Sequence, residues 1–419
     1  MSHRHGRHGP DEQTAPATGT PGGQARRRLH LLLAAVLAPV VLLTLTGLVL
    51  LRPGEGPPQR LPAGLGPQSE LVRGELITRE VVRCNDRREA AAPGGPVPEL
   101  PAPGDRGATA ECVTAEVVLQ SGPDEGTTVV LEVLSTRLQP FPDSGGIRLA
   151  YDPGGEPGQQ YAFADVERRS PLLLLLAIFA VAVVALGRWT GVRALFGLGL
   201  SLGVLAVFVL PSLIAGQDAL LVAVVGSAAV MLVVLYVAHG VSVQTSIAVL
   251  GTLASLALTA GLAEVFVRAT ALTGLGSDET GLISATVGGI DLRGLLLAGI
   301  VIGSLGVLDD VTVTQSSAVW ELHLANPATP GRELYRSGLR IGRDHIASTV
   351  NTLVLAYVGA SLPLLVVYSL ADSALGDVLT NEVVAQEVVR TLVGSIGLVA
   401  AVPITTALAA LTVRIDRAR

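Results

Sequence analysis

Between residues 171 and 413 the chain runs through long apolar segments separated by short polar ones, and no other feature restricts its fold so strongly. A helix needs about 20 apolar residues to cross the hydrocarbon of a bilayer. Seven segments approach that length: 171–186, 194–215, 219–238, 247–267, 292–308, 346–370 and 392–413. Ser170 and Pro171 open the first, as a helix cap followed by proline at the first helical position. Composition agrees: 49% of the 419 residues are hydrophobic and 15% charged, against about 25% charged in a soluble globular protein. There is no lysine, so every fixed positive side chain is an arginine. Aromatic residues make up 3% of the chain and no basic–aromatic face exists, so no nucleic-acid partner is expected.

The part before these segments divides in three. Residues 1–28 are polar and rich in Gly, Pro and Thr, which predicts a disordered cytoplasmic tail. His3, His5 and His8 read as part of that solvated tail rather than as a metal tract. Arg26, Arg27 and Arg28 precede a 29–51 apolar run, the pattern of a first transmembrane helix. A cleaved signal peptide is the rival. The run is longer than the roughly 7–15 residues of a signal core, and no small-residue cleavage site follows it. Residues 52–170 are of another kind, with short alternating runs at 74–83, 112–120, 127–134, 147–151 and 161–166, bounded by Gly, Pro and Asp. That is the strand signature. Five short strands predict a small β domain, a barrel of OB-like type, with an open sandwich as the alternative. Cys84 and Cys112 flank an Ala/Pro/Gly loop. They are a disulfide candidate if the domain is extracytoplasmic, and two buried free thiols otherwise.

Orientation follows from arginine, which favours the cytoplasmic side. With the N-terminus inside, Arg188, Arg193, Arg332, Arg336, Arg340, Arg343, Arg414, Arg417 and Arg419 all fall inside. Asp218, Asp278, Glu279, Asp372, Asp377, Glu382 and Glu387 fall outside, with Arg268, Arg293 and Arg390 as exceptions. The expected fold is thus an α-helical polytopic membrane protein of about eight transmembrane helices, with the β domain between helices 1 and 2. Residues 171–413 form a seven-helix membrane domain, with a cytoplasmic connection at 309–345 and a cytoplasmic C-terminus at 414–419. Asn326-Pro327 breaks that connection and Thr329-Pro330 starts its second piece.

Residues 306–321 read GVLDDVTVTQSSAVWE. An apolar span runs straight into two carboxylates, then into hydroxyls and an amide. Charge at the mouth of a membrane helix is costly without a partner, which makes Asp309 and Asp310 a candidate ion or substrate site. The plainer reading is that both only cap the next helix. Gln315 follows them. On the seventh span His345, Ser348, Thr349 and Thr352 share a helical face, and Asn351 lies beside it. Such stripes also serve as glue between helices. The candidate set is Asp309, Asp310, Gln315, His345, Asn351 and Thr352. The sharpest expectation is that Asp310 meets His345 at the cytoplasmic face, with Asn351 and Thr352 lining the route one to two turns deeper. Gly299, Gly303 and Gly306 lie on one side of the sixth span, spaced for close helix contact. No hydrolase, kinase or metalloprotease motif is present, so no enzyme activity, cofactor or metal is expected.

The 306–321 stretch, with GRDHIASTVNTL at 342–353 and LAYVGA at 355–360, resembles the YibE/F family of multispanning bacterial membrane proteins. The resemblance runs over about 170–419. It implies location and architecture, and no particular chemistry. Two functions follow from the residues. One is a secondary transporter or permease for a small solute or ion. Its third to fifth and sixth to eighth spans start on opposite membrane sides, as an inverted repeat requires. The other is a non-transporting anchor whose β domain binds an envelope protein. The lipid bilayer is the one partner common to both.

Overall fold

The computed structural model describes residues 21–54, 70–83, 111–135, 142–155, 160–276, 280–281, 290–370 and 375–416. The chain divides into two compact units, 60–188 and the remainder.

The first of these units holds five antiparallel strands: β1 Glu70–Arg83, β2 Glu111–Leu119, β3 Thr128–Ser135, β4 Gly145–Tyr151 and β5 Tyr161–Val166. Their order is β3-β2-β1-β4-β5. All five fall where alternation of apolar residues places them, β1 starting four residues earlier than the 74 expected. β1 serves two neighbours. Glu70–Leu76 pairs with β4 and Gly74–Arg83 with β2, and a bulge between Leu76 and Thr78 bends the strand where it changes partner. One face of the sheet is buried through Val72, Leu76, Val113, Ala115, Val117, Leu119, Leu131, Ile147 and Leu149. The 121–126 connection between β2 and β3 closes with Gly126 donating to the Leu119 carbonyl at 2.8 Å. Gly122 sits there at φ +99°, a conformation that favours glycine. Arg168 bonds both oxygens of Asp165 at 2.7 and 2.8 Å and holds its carboxyl below the usual range. Cys84 lies outside the described residues and only the backbone of Cys112 is described, so the disulfide expectation falls outside the described residues, as does most of the expected 1–28 tail; its last part, 21–28, is helical instead.

The helices are α1 Pro21–Leu50, α2 Arg169–Val204, α3 Leu210–Ile214, α4 Ala219–His239, α5 Val243–Ala269, α6 Leu292–Ala325, α7 Gly331–Ala360, α8 Leu362–Leu370, α9 Leu375–Thr380 and α10 Glu382–Asp416. Among the described residues six helical runs are long and apolar enough to cross a membrane, or seven when α7 and α8, bent by 61° at their junction, count as one. Eight were expected. The difference is the 169–214 run, a single stretch of 46 residues in which only Arg188, at φ 50° and ψ −127°, leaves helical geometry. A π-helical turn, Leu205–Val209, sits just before Pro211 in the same run. Proline removes one helical donor and crowds the preceding turn, and a wider turn absorbs the misfit. Pro363 likewise lies at the α7–α8 bend.

In the larger unit α5, α6 and α10 pack on one another, with α4 and α7 against them and α1 against α4. The ends are capped by recognisable residues. Asp218 Oδ1 accepts from the Leu221 amide at 2.8 Å to start α4, and Ser242 Oγ accepts from the Thr245 amide at 3.0 Å to start α5. Val222, Met231, Leu235, Val249, Leu256, Val301, Leu308, Leu398 and Val402 belong to one continuous apolar cluster, to which α4, α5, α6 and α10 all contribute.

Candidate functional site

Polar side chains run through this apolar cluster. Thr252, Ser255 and Thr259 on α5, Ser304, Thr312, Gln315 and Ser316 on α6, and Thr405 and Thr406 on α10 are all buried. On α5 and α6 they recur mostly at spacings of three and four, so each helix turns a polar stripe towards the others. The stripes are joined. Thr252 and Thr312 share a hydrogen bond of 2.5 Å across α5 and α6. The Gln315 amide donates to the Gly338 carbonyl of α7 at 2.8 Å and to the Thr406 hydroxyl of α10 at 2.7 Å, tying three helices at one side chain. Ser316 donates to the Gln244 carbonyl at 3.0 Å, and Gln244 in turn donates to Ser317 at 2.6 Å. Several hydroxyls also bond the carbonyl four residues back on their own helix, as Thr252 does to Ala248 and Thr406 to Val402. That satisfies the hydroxyl without water.

Asp309 and Asp310 lie inside α6, far from either of its ends. The cap reading is therefore wrong: helix caps are the flanking residues of a helix, and these two are mid-helix. Nor does α6 stop at Leu308. Ala219 at the start of α4 packs against Gly294, and His239 at its end shares a cavity with Val313, Ser316 and Ser317. The carboxylates thus stand alongside α4, not beyond it. The break at Asn326–Pro330 is as expected, but the piece before it continues the span.

The two carboxylates differ. Asp310 is exposed, whereas Asp309 is half-buried and its buried Oδ1 has no hydrogen-bond partner among the described residues. His345 is half-buried, and its Nε2 is likewise buried without a partner among the described residues. Contacts between α6 and α7 set their register. Gly338 and Gly342 meet Gln315, and Tyr357 meets Gly303. The helices are antiparallel, and interpolation sets Asp309 opposite about residue 348 of α7, within about a turn of His345. Ile346 and Val350 pack on the cluster that holds Leu308 and Val311. Among the described residues no ion pair joins His345 to either aspartate. The expected meeting of Asp310 with His345 is not formed: Asp310 points away from the core that Asp309 enters. Asn351 and Thr352 are exposed, and Thr352 bonds the Ser348 carbonyl of its own helix at 3.0 Å. Gln315 is buried at the centre of the polar seam.

Two features were not expected from the sequence. The first is a polar cavity of about 120 Å³ lined by His239, Ser242, Gln244, Thr245, Ser316 and Ser317, among others. The second is a charged group on the glycine face of α6. Arg390 pairs with Glu387 at 2.8 Å and lies against Gly299, while the Tyr357 hydroxyl lies against Gly303. These glycines make room for polar side chains, and Gly306 has no atom within 4 Å of where its Cβ would stand. The spacing of the glycines was visible, but not what they face.

Several long apolar helices, with a small antiparallel sheet early in the chain, are consistent with a multi-pass membrane protein. The family model for YibE/F-like proteins matches residues 175–415, more than half of the 419, and the chain belongs to that family. This bears out the resemblance carried by the Asp309-Asp310 and 342–360 stretches. No curated protein and no solved structure matches the chain.

Proposed function

We propose that the chain is a secondary transporter or permease for a small solute or ion, with Asp309 as its charge-carrying group. The observation that carries this reading is the Asp309 oxygen, buried without a partner among the described residues beside the polar seam. An ionised carboxylate in such a place costs several kcal/mol unless a proton or cation neutralises it. His345, with its own unpartnered nitrogen at nearly the same level, is the second group of the site. Gln315 and Thr312 continue it along the seam. Asp310, Asn351 and Thr352 stand on the outside of the bundle and play no part in the buried site. The family match, over residues 175–415, supports a function held in the helices.

In this reading the protein sits in the cell membrane with both termini cytoplasmic, and the arginine distribution supports that orientation. The 46-residue run is about 69 Å of helix, more than twice the roughly 30 Å of hydrocarbon, a length that suits two crossings. That makes eight crossings. The β domain is extracytoplasmic and OB-like: β1 is shared between β2 and β4, and β3 approaches β5 as closure of a five-stranded barrel requires.

The anchor reading has one observation in its favour. Leu71, Ile77 and Val130 are exposed apolar side chains on β1 and β3, of a kind that contact with an envelope protein would cover. Proteoliposomes with an internal pH dye separate the two. Wild-type protein is expected to carry a proton-coupled or cation-coupled flux. Asp309→Asn is expected to reduce it at least tenfold and Asp310→Asn to leave more than half. Flux unchanged in a folded Asp309→Asn variant overturns the site, and no flux for any solute tested favours the anchor.

A further inference from the structure

We propose that a groove between the start of α7 and the end of α10 binds an anionic phospholipid, with Arg332 on its phosphate. Gly331, Arg332 and Tyr335 of α7 and Ala407, Ala410 and Leu411 of α10 line this groove, which is open and encloses about 390 Å³. Small residues make the depression, and its far wall is wholly apolar. Arg332 and Tyr335 stand at the other side. Apolar wall and phosphate-binding edge together match the junction of an acyl chain and its headgroup. A free phosphate would use the edge alone.

Three observations set this groove at the height of lipid headgroups. In the sequence the apolar run of α10 ends at Val413, just before Arg414 and close to the groove's wall. Trp320 and Tyr335 pack half-buried on the apolar cluster that contains Val413 and Ala410. Trp and Tyr at the end of apolar spans mark the membrane–water interface. Finally, Arg332 starts an exposed stripe with Arg336, Arg340 and Arg343, at spacings of four, four and three. These lie within about 80° of the helix circumference. The opposite stripe, Leu334, Gly338 and Gly342, is buried.

Glu333 and Asp344 are exposed on the same helix, yet among the described residues none of the four arginines makes an ion pair. Exposed arginines in a row repel one another, and a phosphate relieves that by accepting two parallel N–H bonds from one guanidinium. Anionic headgroups supply such phosphates at the cytoplasmic surface. The site stands whether or not the protein transports.

The test uses the full chain purified in detergent, with dioleoylphosphatidylglycerol and dioleoylphosphatidylcholine as probes and lipid retention read by native mass spectrometry. The phosphatidylglycerol is expected to be retained at least tenfold more than phosphatidylcholine. Arg332→Gln is expected to lower that retention at least fivefold, and Leu411→Glu, which sets a negative charge in the groove, to abolish it. Arg193→Gln, at another exposed arginine, is expected to leave it unchanged. Equal retention of the two lipids overturns the proposal. So does retention that survives Leu411→Glu, which keeps the test decisive should Arg332→Gln fail to fold. Competition by glycerol 3-phosphate as strong as by lipid also overturns it, and makes the groove a site for soluble phosphate.

Discussion

Asp309 and Asp310 are adjacent in sequence and about 100° apart around the helix, so a single rotation of α6 decides which one enters the core. Leu308, Val311 and Thr312 are buried, and they set that rotation. No local signal distinguishes the two carboxylates, and this is why the expectation fell on Asp310. Gln315 is a different case. It was visible as a polar residue in a membrane helix, and its three-helix bonding explains why it is there. Gln315→Leu leaves the Gly338 carbonyl and the Thr406 hydroxyl without their donor. A loss of about 1–2 kcal/mol is expected in reversible unfolding from detergent micelles. Gly342 offers a sharper comparison. A Cβ there would stand 2.7 Å from Gln315 Oε1 and would also press on Val402. Gly342→Ala should cost about 1–3 kcal/mol, the usual range for overpacking. Gly306→Ala, at a position with open space, should be neutral in the same assay. Equal effects of the two alanines would mean that glycine serves helix flexibility here and not close approach.

At the scale of elements, the strands and most helices were legible because alternation and apolar length are local properties. The end of α6 was not. Its apolar run stops at Leu308, but the helix continues to Ala325 because Thr312, Gln315 and Ser316 find partners on α5, α7 and α10. Hydropathy scores those residues as if each faced water, and it has no means of registering a partner on another helix. The start of α10 is held in a comparable way. Glu382 Oε1 accepts from the Thr273 amide at 2.8 Å, the Thr273 hydroxyl at 2.6 Å and the Gly274 amide at 3.1 Å. Gly274 is at φ +85°, with the Leu292 carbonyl close to where a Cβ would stand. One carboxylate thus fastens the segment after α5 to α10. Glu382→Ala is expected to raise amide exchange at residues 271–276 at least tenfold while leaving α4 unchanged. Exchange unchanged at Thr273 and Gly274 would show that the segment is held by its own packing.

For the whole molecule, the question is which side each end faces. Cysteine introduced at residue 375 or 100 is expected to label from outside intact cells, and cysteine at residue 335 or 20 only after permeabilisation. Outside labelling at residue 335 would reverse the arrangement at its densest arginine cluster, and the lipid site would then face the wrong leaflet for cytoplasmic anionic lipid. Labelling at residue 375 from inside would instead point to a different number of crossings, with the 46-residue run as the first place to look.

The kind of the main elements was in the sequence, though not their number: the 169–214 run is one stretch where two spans were expected. Period-two alternation is enough to mark a strand, and an apolar run of sufficient length is enough to mark a helix fit for a membrane. The two long motifs were enough for the family. Tertiary structure alone decided which polar groups are satisfied. A hydroxyl or amide on one helix is neither costly nor cheap until a second helix is set against it. Thr252 against Thr312 and Gln315 against Thr406 became a seam, and the Asp309 oxygen was left without a partner, only when α5, α6, α7 and α10 packed at one register.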